Sequence, residues 1–217
     1  MKTKILKLFK LFVLSILIIG GFSGITVSKT YAQDLVTNRT NFWFWNEDGE
    51  KIGWEHFKGK FTLFWFYDDY CPFTIRSMPE LMKVLAYINY YYSDYVNFVF
   101  VEALNRPWQD IDYFRNKFHL EDYEFFKSPG MNTNNYLNVD RTPTLIIMDP
   151  YGNIVDKVTG KTIAIIYIRH LDIILGRYFQ ANDITDYDPK ELINEDAETI
   201  FNKLKEALKA AGWNIPN

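Results

Sequence analysis

The chain has a single cysteine, Cys71, among its 217 residues. One cysteine excludes an internal disulfide, so the fold must rest on packing even if the protein is exported. Soft metals need several sulfur or imidazole ligands, and the three histidines, His56, His119 and His170, are scattered along the chain. We therefore predict no metal site. No phosphate-binding loop and no Ser/His/Asp arrangement is recognisable, and we predict no cofactor.

The chain also lacks an excess of basic residues, with 24 Lys and Arg against 27 Asp and Glu. Five of the lysines fall within residues 1–32, which hold no acidic residue, so the remainder has a formal charge of (24 − 5) − 27 = −8. An acidic body without a basic stripe does not suit the phosphate backbone of a nucleic acid. We expect no nucleic-acid partner.

The first 32 residues are typical of a targeting segment. Four lysines precede an apolar run, Leu11–Gly24, and Thr30-Tyr31-Ala32 offers a cleavage site before Gln33. The run is only just short of the about 20 residues that span a bilayer, so an uncleaved anchor is the alternative. We expect a signal peptide or N-terminal anchor over 1–32 and a leader over 33–41. Either way the protein is expected outside the cytoplasm, periplasmic or secreted, with membrane contact only if the segment stays uncleaved.

The chain is organised around its cysteine. Phe61–Tyr67 is an unbroken apolar and aromatic run, which predicts a central strand covered on both faces. Two aspartates and a tyrosine end it, and Cys71-Pro72 then opens a helix, where the missing N–H of proline costs little. A thiol there faces free N–H groups and the positive end of the helix dipole, which favour the thiolate. The pattern predicts a reactive cysteine.

The rest of the pattern alternates strands and helices around this unit. The predicted elements are a hairpin of 42–45 and 51–54, helices over 73–92 and 108–118, a strand over 97–103, a hairpin of 144–148 and 153–158, and helices over 163–179 and 189–211. The helix content of 132–138 stays open. We predict one domain over 42–180, followed over 181–217 by a linker and a C-terminal helix.

Two short motifs carry a family resemblance. Gly59-Lys60, the strand, Cys71-Pro72 and Met78-Pro79-Glu80-Leu81 fall at the spacing of the TlpA-like (redoxin) branch of the thioredoxin fold, and Arg141-Thr142-Pro143-Thr144-Leu145 is similar to its second signature. The resemblance covers about residues 42–180. It implies an α/β fold with a mixed central sheet flanked by helices, an N-terminal β-hairpin and a C-terminal helical extension. It also implies a cis bond before Pro143, beside the active cysteine.

The chain departs from this family at position 74, where the second cysteine is replaced by Thr74. The resemblance implies thiol–disulfide exchange, with Cys71 and Thr74 as catalytic residues and Pro72, Phe73, Thr142 and Pro143 as substrate-binding residues. Without a second cysteine, an external thiol must resolve the mixed disulfide. The expected partners are protein thiols or disulfides and that external reducing thiol.

Neighbouring charges bear on this activity. Asp68 and Asp69 place negative charge near the thiol and would raise its pKa, whereas Arg76 offsets part of the effect if its guanidinium turns toward the site. The buried acid that many thioredoxins carry six residues before the cysteine is replaced by Trp65, so that proton relay is expected to be absent.

Two alternatives stay open. A free cysteine packed at this junction without catalytic duty would make the protein a catalytically degenerate thioredoxin-fold scaffold that binds other proteins. The CxxT pattern also resembles that of glutathione peroxidases, which suggests a thiol peroxidase, although Trp108-Gln109 lack the surrounding motif of that family.

Overall fold

The computed structural model describes residues 37–214. The expected targeting segment, 1–32, lies outside the described residues, as do residues 33–36 of the expected leader. The strands are β1 (Thr37–Asn38), β2 (Trp43–Trp45), β3 (Lys51–Gly53), β4 (Phe61–Tyr67), β5 (Val96–Glu102), β6 (Glu124–Lys127), β7 (Thr144–Met148) and β8 (Asn153–Thr159). The helices are α1 (Pro72–Tyr91), α2 (Trp108–Lys117), α3 (Met131–Tyr136), α4 (Ala164–Ala181), α5 (Pro189–Asn194) and α6 (Ala197–Ala210).

The eight strands form one mixed sheet in the order β1-β8-β7-β4-β5-β6-β2-β3. β4, β5 and β6 run parallel, and β7 lies antiparallel on the other side of β4. Antiparallel pairs complete both edges of the sheet. All seven residues of β4 are buried, as its unbroken apolar run predicts for a central strand. The mixed α/β architecture predicted from the sequence is confirmed.

Both faces of the sheet carry a hydrophobic core, because successive side chains of a strand point to opposite faces. Along β4, Trp65 and Tyr67 belong to the core under α1, α2, α4, α5 and α6. Phe64 and Phe66 belong to the opposite core, which is closed by the N-terminal hairpin, the 3₁₀ turn Trp54–His56 and the residues that follow α3. The high aromatic content is therefore largely core material.

Helix α1 carries the cysteine turn and packs along the sheet. Its buried face includes Met78, Leu81, Leu85 and Ile88, which repeat at helical spacing. Pro72 occupies the first helical turn, where no N–H is needed. The predicted helix over 73–92 is thereby confirmed to within a residue at each end.

The structure differs from the sequence-based prediction in several connections. β6 was not predicted, and the Asn-rich stretch left open contains α3. Thr37–Asn38 pairs with β8, so the sheet begins within the segment expected to be a leader. The single predicted C-terminal helix is two helices, because Asp196 caps the start of α6 by accepting a hydrogen bond from the Thr199 N–H at 2.8 Å.

The C-terminal helices pack on the same core as α1 and α4. Ile200, Leu204 and Leu208 of α6 are buried in it, and Gly176 of α4 lies so close to α5 that an added Cβ would meet Ile193 Cγ1 at 2.9 Å. Among the helices of residues 37–214, none is long and apolar enough to cross a membrane.

A buried polar network lies beneath this extension. Asp172 of α4 is fully buried and accepts hydrogen bonds from the hydroxyls of Tyr87, on α1, at 3.1 Å and of Tyr92, the residue that follows α1, at 2.7 Å. Burial raises the pKa of Asp172 to about 7; the nearby Glu195 carboxyl adds to the rise, whereas the tyrosine hydroxyls and Lys203 oppose it. The network ties α4, α1 and the C-terminal helices together.

Candidate active site

Cys71 caps the N-terminus of α1. Its backbone is extended (φ −72°, ψ 117°), and its carbonyl accepts the first helical hydrogen bond, from the Ile75 N–H at 3.2 Å. The turn before it is closed by the Cys71 N–H, which donates to the Asp68 carbonyl at 3.0 Å. The thiol is free and partly exposed. The strand-turn-helix order predicted from the sequence therefore holds the sulfur at the mouth of a helix.

The loop before β7 lies against this sulfur. The Thr142–Pro143 peptide bond is cis, and Cys71 Sγ is 3.5 Å from the Thr142 carbonyl oxygen. Residues 71 positions apart in the chain thus meet at one point. The structure brings together Cys71, Thr142 and Pro143, three of the residues predicted from the sequence.

The surroundings favour the thiolate. Partial burial opposes the charged form, but the approach of hydrogen-bond donors, namely the N–H groups of Thr74 and Phe73 and the side chains of Thr142 and Thr74, outweighs it and lowers the pKa of Cys71. The Thr142 carbonyl oxygen accepts only from the protonated thiol and does not contribute to this lowering. The helix N-terminus acts here through its free N–H groups.

Comparison with known proteins agrees with this geometry. The sequence model of a family described as Thioredoxin-like matches residues 59–154, a range that includes both Cys71 and Pro143. The chain has the thioredoxin-like fold. No curated protein matches the chain in sequence.

Solved structures share the thioredoxin-like fold. MTB dsbF, solved in its mixed oxidized and reduced forms, is 24% identical, and the match covers 63% of this chain and 96% of that chain with a TM-score of 0.50. StoA from Bacillus subtilis is 21% identical, with 57% and 90% covered and a TM-score of 0.46. A thiol-disulfide oxidoreductase from Bacteroides fragilis is 18% identical, with 56% and 89% covered and a TM-score of 0.48.

Thr74 lies three residues after Cys71, at the position where the resemblance to the TlpA-like branch implies a second cysteine. It lies in the first turn of α1 and is fully buried. Its hydroxyl oxygen makes no hydrogen bond of normal geometry, although a buried hydroxyl nearly always has a partner. The approach of this hydroxyl to Cys71 is one of the causes that lower the thiol pKa. Thr74 is therefore placed to stabilise the thiolate.

Replacing Thr74 with the isosteric valine is expected to raise the pKa of Cys71, because a hydroxyl that approaches the thiolate and favours its charge is lost. Stability should change little, since the hydroxyl has no other partner. The rate of iodoacetamide alkylation as a function of pH measures the pKa. The matched control is Ser77→Ala, because Ser77 lies one turn further along α1 and donates to the Phe73 carbonyl at 2.7 Å. An unchanged midpoint in Thr74→Val would contradict this role.

The acidic residues of the turn are paired with a cation that the sequence did not reveal. Arg106 Nη2 lies 3.5 Å from Asp68 Oδ1, and Arg106 Nε lies 4.0 Å from Asp69 Oδ1. The guanidinium also lies over the Tyr70 ring, 4.7 Å from its centre. Asp68 and Asp69 are not among the main causes that act on the pKa of Cys71, which is lowered by nearby hydrogen-bond donors.

The predicted modulator Arg76 lies elsewhere. Its side chain is exposed, and it forms no ion pair among the residues that the structure describes. Trp65 is fully buried, and its indole Nε1 has no hydrogen-bond partner there. Neither residue acts on the sulfur through a contact in this structure. The cation of the site comes instead from the loop that follows β5.

Glu102 is the residue that sequence reasoning missed. It is fully buried at the end of β5, where its carboxylate accepts hydrogen bonds from the N–H groups of Leu104 at 3.0 Å and Arg106 at 2.7 Å. Burial, and then the charges of Asp68 and Asp69, raise its pKa. The sequence did offer one indication of a functional residue here, a single carboxylate at the end of an otherwise apolar strand. Parallel pairing brings that end beside the end of β4, with Glu102 opposite Tyr67.

Exposed apolar side chains flank the sulfur. Tyr70 and Phe73, on either side of Cys71-Pro72, are 64% and 57% exposed; Leu104, in the loop that follows β5, is 56% exposed. Pro72 is exposed as well, Thr142 is half-buried and Pro143 is buried. The predicted binding residues thus form a surface that combines apolar side chains with the backbone beside the cis proline.

Proposed function

We propose that the protein carries out thiol–disulfide exchange through Cys71 alone, with an outside thiol completing each turnover. The observation that carries this proposal is the partly exposed sulfur at the start of α1, 3.5 Å from the Thr142 carbonyl oxygen beside cis-Pro143. Hydrogen bonds that lower the pKa of Cys71 supply the thiolate that exchange requires.

The chemistry has two balanced steps. The Cys71 thiolate attacks one sulfur of a client disulfide, a mixed disulfide forms, and the other client sulfur leaves as a thiolate that takes up a proton from water. A second thiolate then attacks the mixed disulfide and releases Cys71. Thr74 has no sulfur to offer, so this second thiolate belongs to the client itself, as in an isomerase, or to a small thiol or partner protein that is oxidised in its place.

Clients are proposed to be protein thiols or disulfides carried on extended segments. Thr142 and Pro143 would present a backbone edge to such a segment, in the manner of an added strand. Pro72 and Phe73, with the neighbouring Tyr70 and Leu104, would contact apolar side chains on either side of the client cysteine. This arrangement supports a polypeptide client rather than a small disulfide.

The proposed location is outside the cytoplasm. Support comes from the amino-terminal sequence, in which a basic stretch and an apolar run precede residue 33. Disulfides persist in such compartments, so clients would be present there. If the segment stays uncleaved, it would also anchor the protein to a membrane.

The rival function is a binding scaffold that uses the same surface without exchange. The exposed apolar residues around Cys71 favour it as much as they favour a client site. The two functions differ in their need for the Cys71 sulfur: exchange requires it, and a binding scaffold does not. A thiol peroxidase, which resembles the site only in its CxxT pattern, would differ from both in consuming hydrogen peroxide faster than free cysteine does.

The test is trapping of mixed disulfides. The full chain is expressed outside the cytoplasm, cells are quenched with acid and N-ethylmaleimide, and extracts are run without reductant. Wild-type protein should show higher-mass bands that dithiothreitol removes, and Cys71→Ser should show none. A control, Thr74→Ser, keeps both the sulfur and a hydroxyl and should retain the bands. If wild type and Cys71→Ser look alike, the exchange function is wrong and the scaffold is supported.

A further inference from the structure

Arg106 joins the loop after β5 to the three residues that precede Cys71. Its guanidinium forms ion pairs with Asp68 at 3.5 Å and with Asp69 at 4.0 Å, and it lies over the Tyr70 ring, 4.7 Å from the ring centre. Both atoms of the second pair are buried, and a buried ion pair is screened by salt much less than an exposed one. One side chain therefore contacts the whole turn that leads into the cysteine.

The backbone position of Arg106 is fixed by a buried carboxylate. Glu102 ends β5 and accepts hydrogen bonds from the N–H groups of Leu104 at 3.0 Å and of Arg106 at 2.7 Å. The Ala103 N–H donates to the Tyr67 carbonyl at 2.8 Å, which ties the same loop to the end of β4. Because the loop is fixed at these points, it loses little further conformational entropy when a client binds at the cysteine turn.

Tyr70 is held in position although most of its side chain is exposed. Its N–H donates to Asp68 Oδ1 at 3.1 Å, and the next N–H, that of Cys71, donates to the Asp68 carbonyl at 3.0 Å. Arg106 lies over the ring, yet Tyr70 remains 64% exposed. An exposed ring that neighbouring groups hold in position loses little conformational entropy when a ligand packs against it.

A cavity of about 90 Å³ lies beside this tyrosine, between the start of α1 and α2. Two acidic residues and a lysine belong to its lining, and its apolar lining residues are Tyr70, Ile75, Tyr113 and Phe114. One of the acids, Asp69, is paired with Arg106, so the other acid and the lysine balance each other and no net charge favours an ion. A cavity of about 150 Å³ can hold benzene, so one of about 90 Å³ suits a smaller, aliphatic side chain.

We propose that this cavity is a specificity subsite, which takes an aliphatic side chain next to the client cysteine, and that Arg106 is the positioning residue that holds Tyr70 as its wall. The inference rests on the proposed thiol exchange, because it concerns the client of that reaction. Tyr70 directly precedes Cys71, and Ile75 lies one helical turn after it, where its N–H donates to the Cys71 carbonyl. A residue that adjoins the client cysteine therefore meets the cavity. The preferred clients carry leucine, isoleucine or valine beside their cysteine.

The test uses two synthetic peptides whose single cysteine is flanked on both sides by leucine or by glycine and is joined to thiopyridine in a disulfide. The Cys71 thiolate of the purified full chain attacks the peptide sulfur, a mixed disulfide forms, and thiopyridine leaves and takes up a proton. Its absorbance gives the second-order rate constant. Because both peptides meet the same thiol and release the same leaving group, a change in the pKa of Cys71 affects both rates equally. The leucine-to-glycine rate ratio therefore reports on the subsite alone.

Wild type should prefer the leucine peptide about fivefold, as partial burial of a leucine side chain allows. Tyr70→Ala and Arg106→Met should each lower this ratio to about twofold or less. The double variant should match Tyr70→Ala, because Arg106 acts through Tyr70 and the two losses are then not additive. Tyr70→Phe keeps the ring and should keep the preference. Arg76→Met removes an exposed cation of α1 and is the matched control, with the wild-type ratio expected.

Equal rates for the two peptides in wild type would overturn the subsite, and so would a full preference in Tyr70→Ala. A full preference in Arg106→Met, or additive losses in the double variant, would overturn the positioning role of Arg106. If Arg106→Met does not fold, the comparison of Tyr70→Ala with Tyr70→Phe decides. Failure of thiol exchange itself looks different, because wild type would then react with neither peptide faster than free cysteine does.

Discussion

Replacing Thr74 with cysteine is expected to give the protein an insulin-reducing activity at least tenfold above that of wild type in the presence of dithiothreitol. With two cysteines at positions 71 and 74, the protein can release its own client by forming an internal disulfide. Dithiothreitol then reduces that disulfide for the next turnover. Precipitation of the insulin B chain, followed as turbidity, measures the rate.

The structure supports this gain of function. Thr74 lies three residues after Cys71 in the first turn of α1, and residues at this spacing are neighbours on a helix surface. A thiol at position 74 would stand in the place of a hydroxyl that already approaches the Cys71 sulfur and has no other partner. The substitution therefore breaks no hydrogen bond of normal geometry, and its packing cost is limited to the loss of the buried Thr74 methyl group.

Two controls separate a dithiol mechanism from a general rise in reactivity. Thr74→Ser keeps a hydroxyl at the position and should stay at the wild-type rate. The double variant Cys71→Ser/Thr74→Cys has one sulfur and should be inactive. If Thr74→Cys forms its disulfide but insulin reduction stays at the wild-type rate, the surface around Pro143 does not accept a polypeptide, and the scaffold is favoured.

The second large effect concerns pH and stability. In wild type the free energy of unfolding is expected to fall by on the order of a few kcal/mol between pH 4 and pH 7 through Asp172 alone. Its pKa is raised from 3.8 to about 7 in the folded state by burial, so within this window the folded protein holds a proton that the unfolded chain has lost. Stability then decreases as pH rises, the opposite of the usual behaviour of a surface carboxylate.

Asp172→Asn should remove this contribution. Urea unfolding at pH 5, 6, 7 and 8 would show a smaller fall in stability for the variant than for wild type, while Asp122→Asn keeps the full fall. The groups facing Asp172 are Tyr87 of α1 and Tyr92 just after it, together with Glu195 and Lys203 of the C-terminal segment. An equal pH dependence in Asp172→Asn and wild type would mean that the carboxyl is ionised in the fold.

Much of the fold was readable from local pattern. The run Phe61–Tyr67 and the helix after Pro72 are long, strongly apolar and clearly bounded, so their burial followed directly from their composition. β6 was missed because Glu124–Lys127 is four residues long and half charged, and its place comes from pairing with β5 rather than from its own pattern. The break before α6 depended on one aspartate acting as a cap.

The site was predictable only on one side. Cys71, Thr142 and Pro143 were identified from two motifs, and the fold brings them together. The contacts of the acidic residues beside Cys71 were not predictable. The guanidinium of Arg106 contacts Asp68, 38 positions away in the chain, and Glu102 comes close through the parallel pairing of β4 and β5. Arg76 lies near the cysteine in sequence but on an exposed helix face. Proximity along the chain is a poor guide to which charge meets which.

The way α5 and α6 close the interior sets a limit on how far the chain can be shortened. The family match ends at residue 154, yet Leu192, Ile200, Leu204 and Leu208 lie in the same core as the helix that carries Cys71. A fragment that ends at residue 180 would keep Cys71 and the loop with Pro143. It would expose Asp172 to solvent and would lose the part of the hydrophobic core that α5 and α6 supply. A shortened form of the protein for fusion or crystallisation should therefore extend through Ala211, because α5 and α6 belong to the same hydrophobic core as the sheet.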